Sequence, residues 1–137
     1  MSTGLQFQEI EHTADRAFKI RAQSLPELFV LAARAICTAQ RQPAETQEMI
    51  TRQVELSGPD RETLLVNWLN ELLYLQEVHN ESYSGFQVAA VSDTHLRASV
   101  VGDSDASARR TIKAVTFHGL RIQRLQDGWE ATIIVDV

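Results

Sequence analysis

Leu64, Leu65, Trp68, Leu69, Leu72 and Leu73 fall in adjacent pairs that recur every fourth residue, a spacing that a helix gathers onto one side. Such a stripe is too wide to leave in water, so whatever this chain folds into must lay a second layer against it. Asn67, Asn70, Glu71 and Tyr74 fall on the opposite side, which reads as the wet face of the helix. Just before the stripe, Gly58, Pro59 and Asp60 stop the preceding segment and supply a side-chain oxygen to cap the helix.

The rest of the pattern supplies the second layer. Phe18, Ile20 and Ala22 alternate with Lys19 and Arg21, the period of a strand with one buried face. A further helix follows: Ser24 and Glu27 have capping-box spacing, and Leu25, Leu28, Phe29, Ala32 and Ile36 recur at helical intervals. Val54 and Leu56 alternate with Gln53 and Glu55 in a short strand. The second half reads as strands over Gly85–Ala90, Leu96–Val101, Ile112–Phe117, Leu120–Leu125 and Trp129 to the end, with Asp127-Gly128 as a two-residue hairpin turn. Strands around two main helices, without regular βαβ alternation, predict an α+β fold in which a mixed or antiparallel sheet packs with the helices. With 137 residues, 44% of them hydrophobic, the expectation is a single compact domain over 1–137.

The charge balance narrows the function. A formal charge of −5, from 18 acidic and 13 basic residues, gives no general attraction to a nucleic-acid backbone, so any RNA is expected to be held by another protein. Cys37 is the single cysteine, which excludes an intramolecular disulfide and reads as an inert buried thiol. No apolar run reaches membrane-spanning length and Met1 to Glu11 lacks signal-peptide order, so the expected location is the cytoplasm, away from membranes.

Chemistry concentrates at the two ends. Glu11, His12, Thr13, Ala14 and Asp15 offer an imidazole, a hydroxyl and carboxylates just before a strand, although Asp15 as a turn cap and His12 as a surface loop residue account for them as well. In the last strand, Trp129, Ala131, Ile133, Val135 and Val137 share one face, and Glu130, Thr132, Ile134 and Asp136 share the other. Asp136 follows an apolar run typical of an interior strand, where a charge needs a partner, a metal or an exit into water. The terminal carboxylate of Val137 beside it adds a second anion, and the two repel unless a cation lies between them.

Four blocks in order, His12-Thr13-Ala14-Asp15, Leu65 to Tyr74, Lys113 to Gly119 and Val135-Asp136-Val137, resemble the archease family over nearly the whole chain. The resemblance implies a small accessory protein that activates RNA ligases of the RtcB type, promoting guanylylation of the ligase and multiple turnover in tRNA splicing or RNA repair. It also implies that Asp15, Asp136 and Val137 are ligands of a calcium-type ion, and that RNA is met only through the ligase. The chain has Arg16-Ala17 where the family has an aliphatic residue and glycine, and Phe117 where tyrosine is usual. Arg16 is expected to compete with a cation for the Asp15 carboxylate.

A set of carboxylate oxygens without cysteine or a paired-histidine motif suits calcium first, with magnesium or manganese as alternatives, better than it suits zinc. Asp103-Ser104-Asp105 opens like an EF-hand but has Ala108 and Ala114 where that loop needs glycine and glutamate. His12, Lys113 and His118 are further candidates for the working surface, each also readable as an ordinary solvated residue. Trp68 and Trp129 read as core, and Arg109, Arg110, Arg121 and Arg124 as a local basic patch or scattered charges. Two other classes compete with the activator: a small metal-dependent phosphoester hydrolase using His12, Asp15, His118 and Asp136, and a chaperone-like binding module. The missing P-loop, nucleophile elbow and two-histidine helix favour the activator over an enzyme.

Overall fold

In the computed structural model, which describes residues 7–11, 15–40, 49–104 and 112–137, the chain runs β1 (Phe7–Glu11), β2 (Asp15–Ala22), α1 (Leu25–Gln40), β3 (Met49–Ser57), α2 (Arg61–His79), β4 (Glu81–Val91), β5 (His95–Ser104), β6 (Ala114–Leu125) and β7 (Gly128–Asp136). Both helices begin where their caps lie in the sequence. At α1 the Glu27 amide donates to Ser24 Oγ at 3.2 Å, and Glu27 Oε1 accepts from the Gln23 amide at 2.7 Å. At α2 the Thr63 amide donates to Asp60 Oδ1 at 2.7 Å, a bond that favours the charged carboxylate and lowers the Asp60 pKa. α2 ends at Asn80, whose left-handed backbone (φ 52°) returns its N–H to the Gln76 carbonyl.

The strands form a four-stranded sheet, β1-β2-β7-β6, and a three-stranded sheet, β3-β5-β4. Every pairing among the described strands is antiparallel. The α+β expectation therefore stands, with the strands divided between two sheets rather than collected in one. The helices join the two: α1 touches β2 and β4, and α2 touches β6 and β4. Their stripes meet the inner faces, so that Phe18, Ile20, Val100, Leu96, Ile133 and Val135 are buried with Phe29, Ile36 and Leu69 in one core. Trp68 is fully buried, and its Nε1 donates to the Phe29 carbonyl at 3.0 Å, tying α2 to α1. Truncating such a side chain costs about 3 to 5 kcal/mol. Cys37 is buried in the same core, which pushes its thiol pKa far up and leaves it inert.

Three boundaries differ from expectation. The stretch 112–125, read as two strands around a turn at His118-Gly119, contains one long strand, β6, both halves of which pair with β7. The register runs Thr116↔Ile134 and then Arg121↔Thr132, so Phe117 to Leu120 form a bulge within the strand. Gly119 makes it feasible, with φ +69° and with the position of a Cβ lying 2.5 Å from Ile134 Cδ1. In the β6–β7 hairpin the turn residues are Gln126 and Asp127, one earlier than expected, while Gly128 opens β7. Its missing side chain lets the strand approach β2, since a Cβ there would lie 2.4 Å from the Ala22 carbonyl oxygen. Finally, β4 starts at Glu81 rather than Gly85, because a buried charge network replaces apolar alternation in its first turn of strand.

Candidate functional site

The β2–β7 ladder opens with Asp15 directly opposite Asp136, so two acidic positions from the far ends of the sequence are cross-strand partners. Partners in an antiparallel ladder share a sheet face, and like charges placed so destabilise each other. Arg16 pairs with Val135 and so alternates to the other face of β2 from the Asp15 position. On the other side of β7, Asp136 is opposite Ala114, and the Lys113 amide donates to the Asp136 carbonyl at 2.8 Å. Asp136, Val137 and the Lys113 side chain are exposed. Among the described residues Asp136 forms no salt bridge with another side chain.

His118 is exposed in the β6 bulge. Gly119 beside it lies against Ile134, which is on the same face of β7 as Asp136 and two residues away, roughly 7 Å along the strand. The bulge thus covers the strip of sheet leading to the acidic pair and leaves Ile134 only 6% exposed. Phe117, in the same bulge, is 59% exposed, so packing asks nothing of a hydroxyl at that position. His12 lies outside the described residues.

Asn70 holds this end of β6 from the helix side. Its Nδ2 donates to the Val115 carbonyl at 3.0 Å and its Oδ1 accepts from the Val115 amide at 2.8 Å. β6 is an edge strand, and the carboxamide occupies the place where a neighbouring strand would pair. The expectation of a wet face at this position is therefore corrected. The sequence did hold a signal: Val66 and Leu73, four before and three after Asn70 on the helix, are both buried.

A second polar network escaped sequence reading. Glu81, 3% exposed, accepts from Arg52 Nε at 2.8 Å, Arg52 Nη2 at 2.7 Å and the Tyr83 hydroxyl at 2.7 Å. Burial pushes the Glu81 carboxyl up, but the bonds from Arg52 and Tyr83 outweigh it and hold the pKa below its ordinary value. The Tyr83 hydroxyl moves the other way, raised by burial and by the bond to Glu81. The network ties β3 to β4 across β5 and is structural. At the far end of the β2–β7 ladder, Arg21 Nε meets Glu130 at 2.7 Å and Lys19 meets it at 3.9 Å. Trp129, expected in the core, is only half-buried, with Arg61 and Arg124 over its ring at 4.9 and 5.2 Å. Arg124 is engaged there and Arg121 is exposed on β6; Arg109 and Arg110 lie outside the described residues.

The family model described as the Archease protein family (MTH1598/TM1083) matches residues 7–137. The chain belongs to the archease family. Archeases of Methanosarcina acetivorans and Pyrococcus furiosus are 33% and 29% identical to it; the alignments cover 99% and 96% of this chain and 99% of each relative. The solution structure of Methanobacterium thermoautotrophicum protein 1598 matches with a TM-score of 0.77 at 27% identity, covering 96% of this chain and 99% of that one. The crystal structure of an archease from Thermotoga maritima, described there as a possible chaperone, matches with a TM-score of 0.67 over 95% of this chain and 96% of that one; at 22% identity it shares the fold.

In this archease fold the described parts of the four sequence blocks lie on neighbouring elements. Asp15 of the first opens β2, the third spans the start of β6, the fourth ends β7, and the second lies in α2, whose Asn70 grips Val115. As a cation site, the described part offers the Asp15 and Asp136 positions and the neighbouring Val137. Among the described residues no group of three or more His, Cys, Asp or Glu side chains could hold a metal ion. No helix among the described residues is long and apolar enough to cross a membrane.

Proposed function

We propose that this chain is a non-catalytic activator of an RtcB-type RNA ligase in tRNA splicing or RNA repair, and that it works by docking on the ligase. The observation that supports this reading most is the register that sets Asp15 opposite Asp136 on one side of β7, with Ala114 of the Lys113–Gly119 block opposite Asp136 on the other. In this reading Asp15, Asp136 and the Val137 terminus hold a divalent cation, calcium first and magnesium or manganese as alternatives. The cation supplies positive charge for anionic oxygens of the partner or its nucleotide, and the acidic row keeps it at the surface. Lys113 and His118 are part of the working surface in this reading, and His12 is a further candidate for it from the sequence alone. With a net charge of −5 the chain meets RNA only through the ligase.

The deciding experiment is guanylylation of an RtcB-type ligase from the same source, with and without this protein and with calcium or a chelator. Faster guanylylation and repeated ligation cycles with the protein present support the reading; equal rates refute it. A hydrolase would instead cleave a phosphoester unaided and lose that turnover in Asp15→Asn.

A further inference from the structure

We infer that Asn70 is a positioning residue for the acidic row, standing in for a missing fifth strand and holding Lys113 to Thr116 in register against the end of β7. The inference deepens the cation-site reading and rests on it for its functional meaning.

The β6–β7 ladder is interrupted by the bulge, and among the described residues the segment before it is paired with β7 through Ala114↔Asp136, Val115↔Val135 and Thr116↔Ile134. Two further bonds assist, from the Lys113 amide to the Asp136 carbonyl and from Thr116 Oγ1 to the Ile134 carbonyl at 3.3 Å. A ladder this short frays unless its outer edge is also held, because each opened pair returns backbone entropy. On that outer edge, the Asn70 carboxamide engages both backbone groups of Val115 in a part-buried setting where lost bonds are not freely replaced by water. Val115 lies one residue from Ala114, the residue opposite Asp136. The grip therefore acts through Val115, Ala114 and Lys113 on the backbone of Asp136.

The same chemistry makes the role specific to a carboxamide. A carboxylate keeps the acceptor for the Val115 amide but presents a second negative oxygen to the Val115 carbonyl; once protonated, it regains a donor.

The test is hydrogen exchange of the Lys113 amide, whose acceptor is Asp136, in the native protein, Asn70→Ala and Asn70→Asp, with β2 amides as internal controls. Exchange at Val115 itself changes trivially, whereas Lys113 reports whether the effect reaches Asp136. The expected result is exchange at Lys113 at least tenfold faster in Asn70→Ala with the β2 amides unchanged. In Asn70→Asp, protection at Lys113 is expected to be lost at pH 7.5 and to return toward native as lower pH protonates the new carboxyl. Calcium affinity, measured by calorimetry, is expected to fall at least tenfold in Asn70→Ala. Lys113 exchange within twofold of native in both variants, a loss in Asn70→Asp that does not vary with pH, or native calcium affinity despite lost protection would overturn the proposal. If the native protein binds no calcium, the cation reading fails, and Lys113 exchange alone decides for or against the positioning role.

Discussion

Replacing Asp136 by asparagine should make the metal-free protein slightly more stable while removing its response to calcium. Directly opposed partners in an antiparallel ladder have their β-carbons about 5 Å apart, and Asp15 and Asp136 are such partners. Two unit charges at that separation in water repel by about 332/(80 × 5), or roughly 0.8 kcal/mol. For a domain of 137 residues, each kcal/mol moves the melting temperature by about 3 to 5 °C. Asp136→Asn should therefore melt about 2 to 4 °C above native in chelator and low salt, with the gain screened away as salt rises. A cation bound only by the folded state has the opposite effect: at one hundred times its dissociation constant it stabilises by about 2.7 kcal/mol, on the order of 10 °C. Melting curves of both proteins in chelator and across a calcium titration measure the two effects separately. The reasoning is refuted if no divalent cation moves the native curve, if the variant responds as native does, or if the variant in chelator is several degrees less stable.

Three further outcomes are expected. A short extension after Val137 replaces the terminal carboxylate by a neutral amide and should weaken calcium binding in calorimetry, while an amino-terminal tag should not. Glu81→Gln should cost about 2 kcal/mol in urea unfolding at pH 7, less than a fully buried pair because the Arg52 side chain is 32% exposed. Because the folded pKa of Glu81 lies below its ordinary 4.5, its contribution is complete above that value and is lost as pH falls through the folded pKa, so native and variant stabilities should converge in acid. Gly119→Ala forces a side chain onto a left-handed backbone and against Ile134; thermal unfolding should show a loss of about 1 to 2 kcal/mol, partly recovered by adding Ile134→Val.

What the sequence revealed followed the range of the interactions involved. Caps at Ser24 and Asp60 and the stripe of α2 depend on neighbours within a turn, and they stand where expected. The division into two sheets depends on which strand meets which across long stretches of sequence, and no local pattern carries it. Gly119 looked like a turn because a left-handed glycine serves turns and bulges alike; only the pairing of both flanks with β7 separates them. Glu81 lay in the polar run Glu81-Ser82-Tyr83-Ser84, which shows no strand alternation, and its burial rests on Arg52 from another strand. Of the candidate site, the physical reading gave the Asp136 end alone and left Asp15 as a turn cap. Resemblance joined them, and the register places them opposite each other.

The placement of β7 carries a consequence for how this protein is made. The last strand in chain order is an interior strand, inserted between β2 and β6, and it bonds residues as distant as Arg21 and Glu130, 109 positions apart. During synthesis β2 leaves the ribosome early and must wait, with one edge unpaired, until β7 emerges. Nascent chains are therefore most vulnerable to aggregation late in translation, and the sheet closes slowly because its defining contacts are the most distant ones. The same delay acts as a checkpoint: a message truncated before β7 yields a protein with neither a closed sheet nor an opposed acidic pair, so only chains translated through their final strand can carry the site.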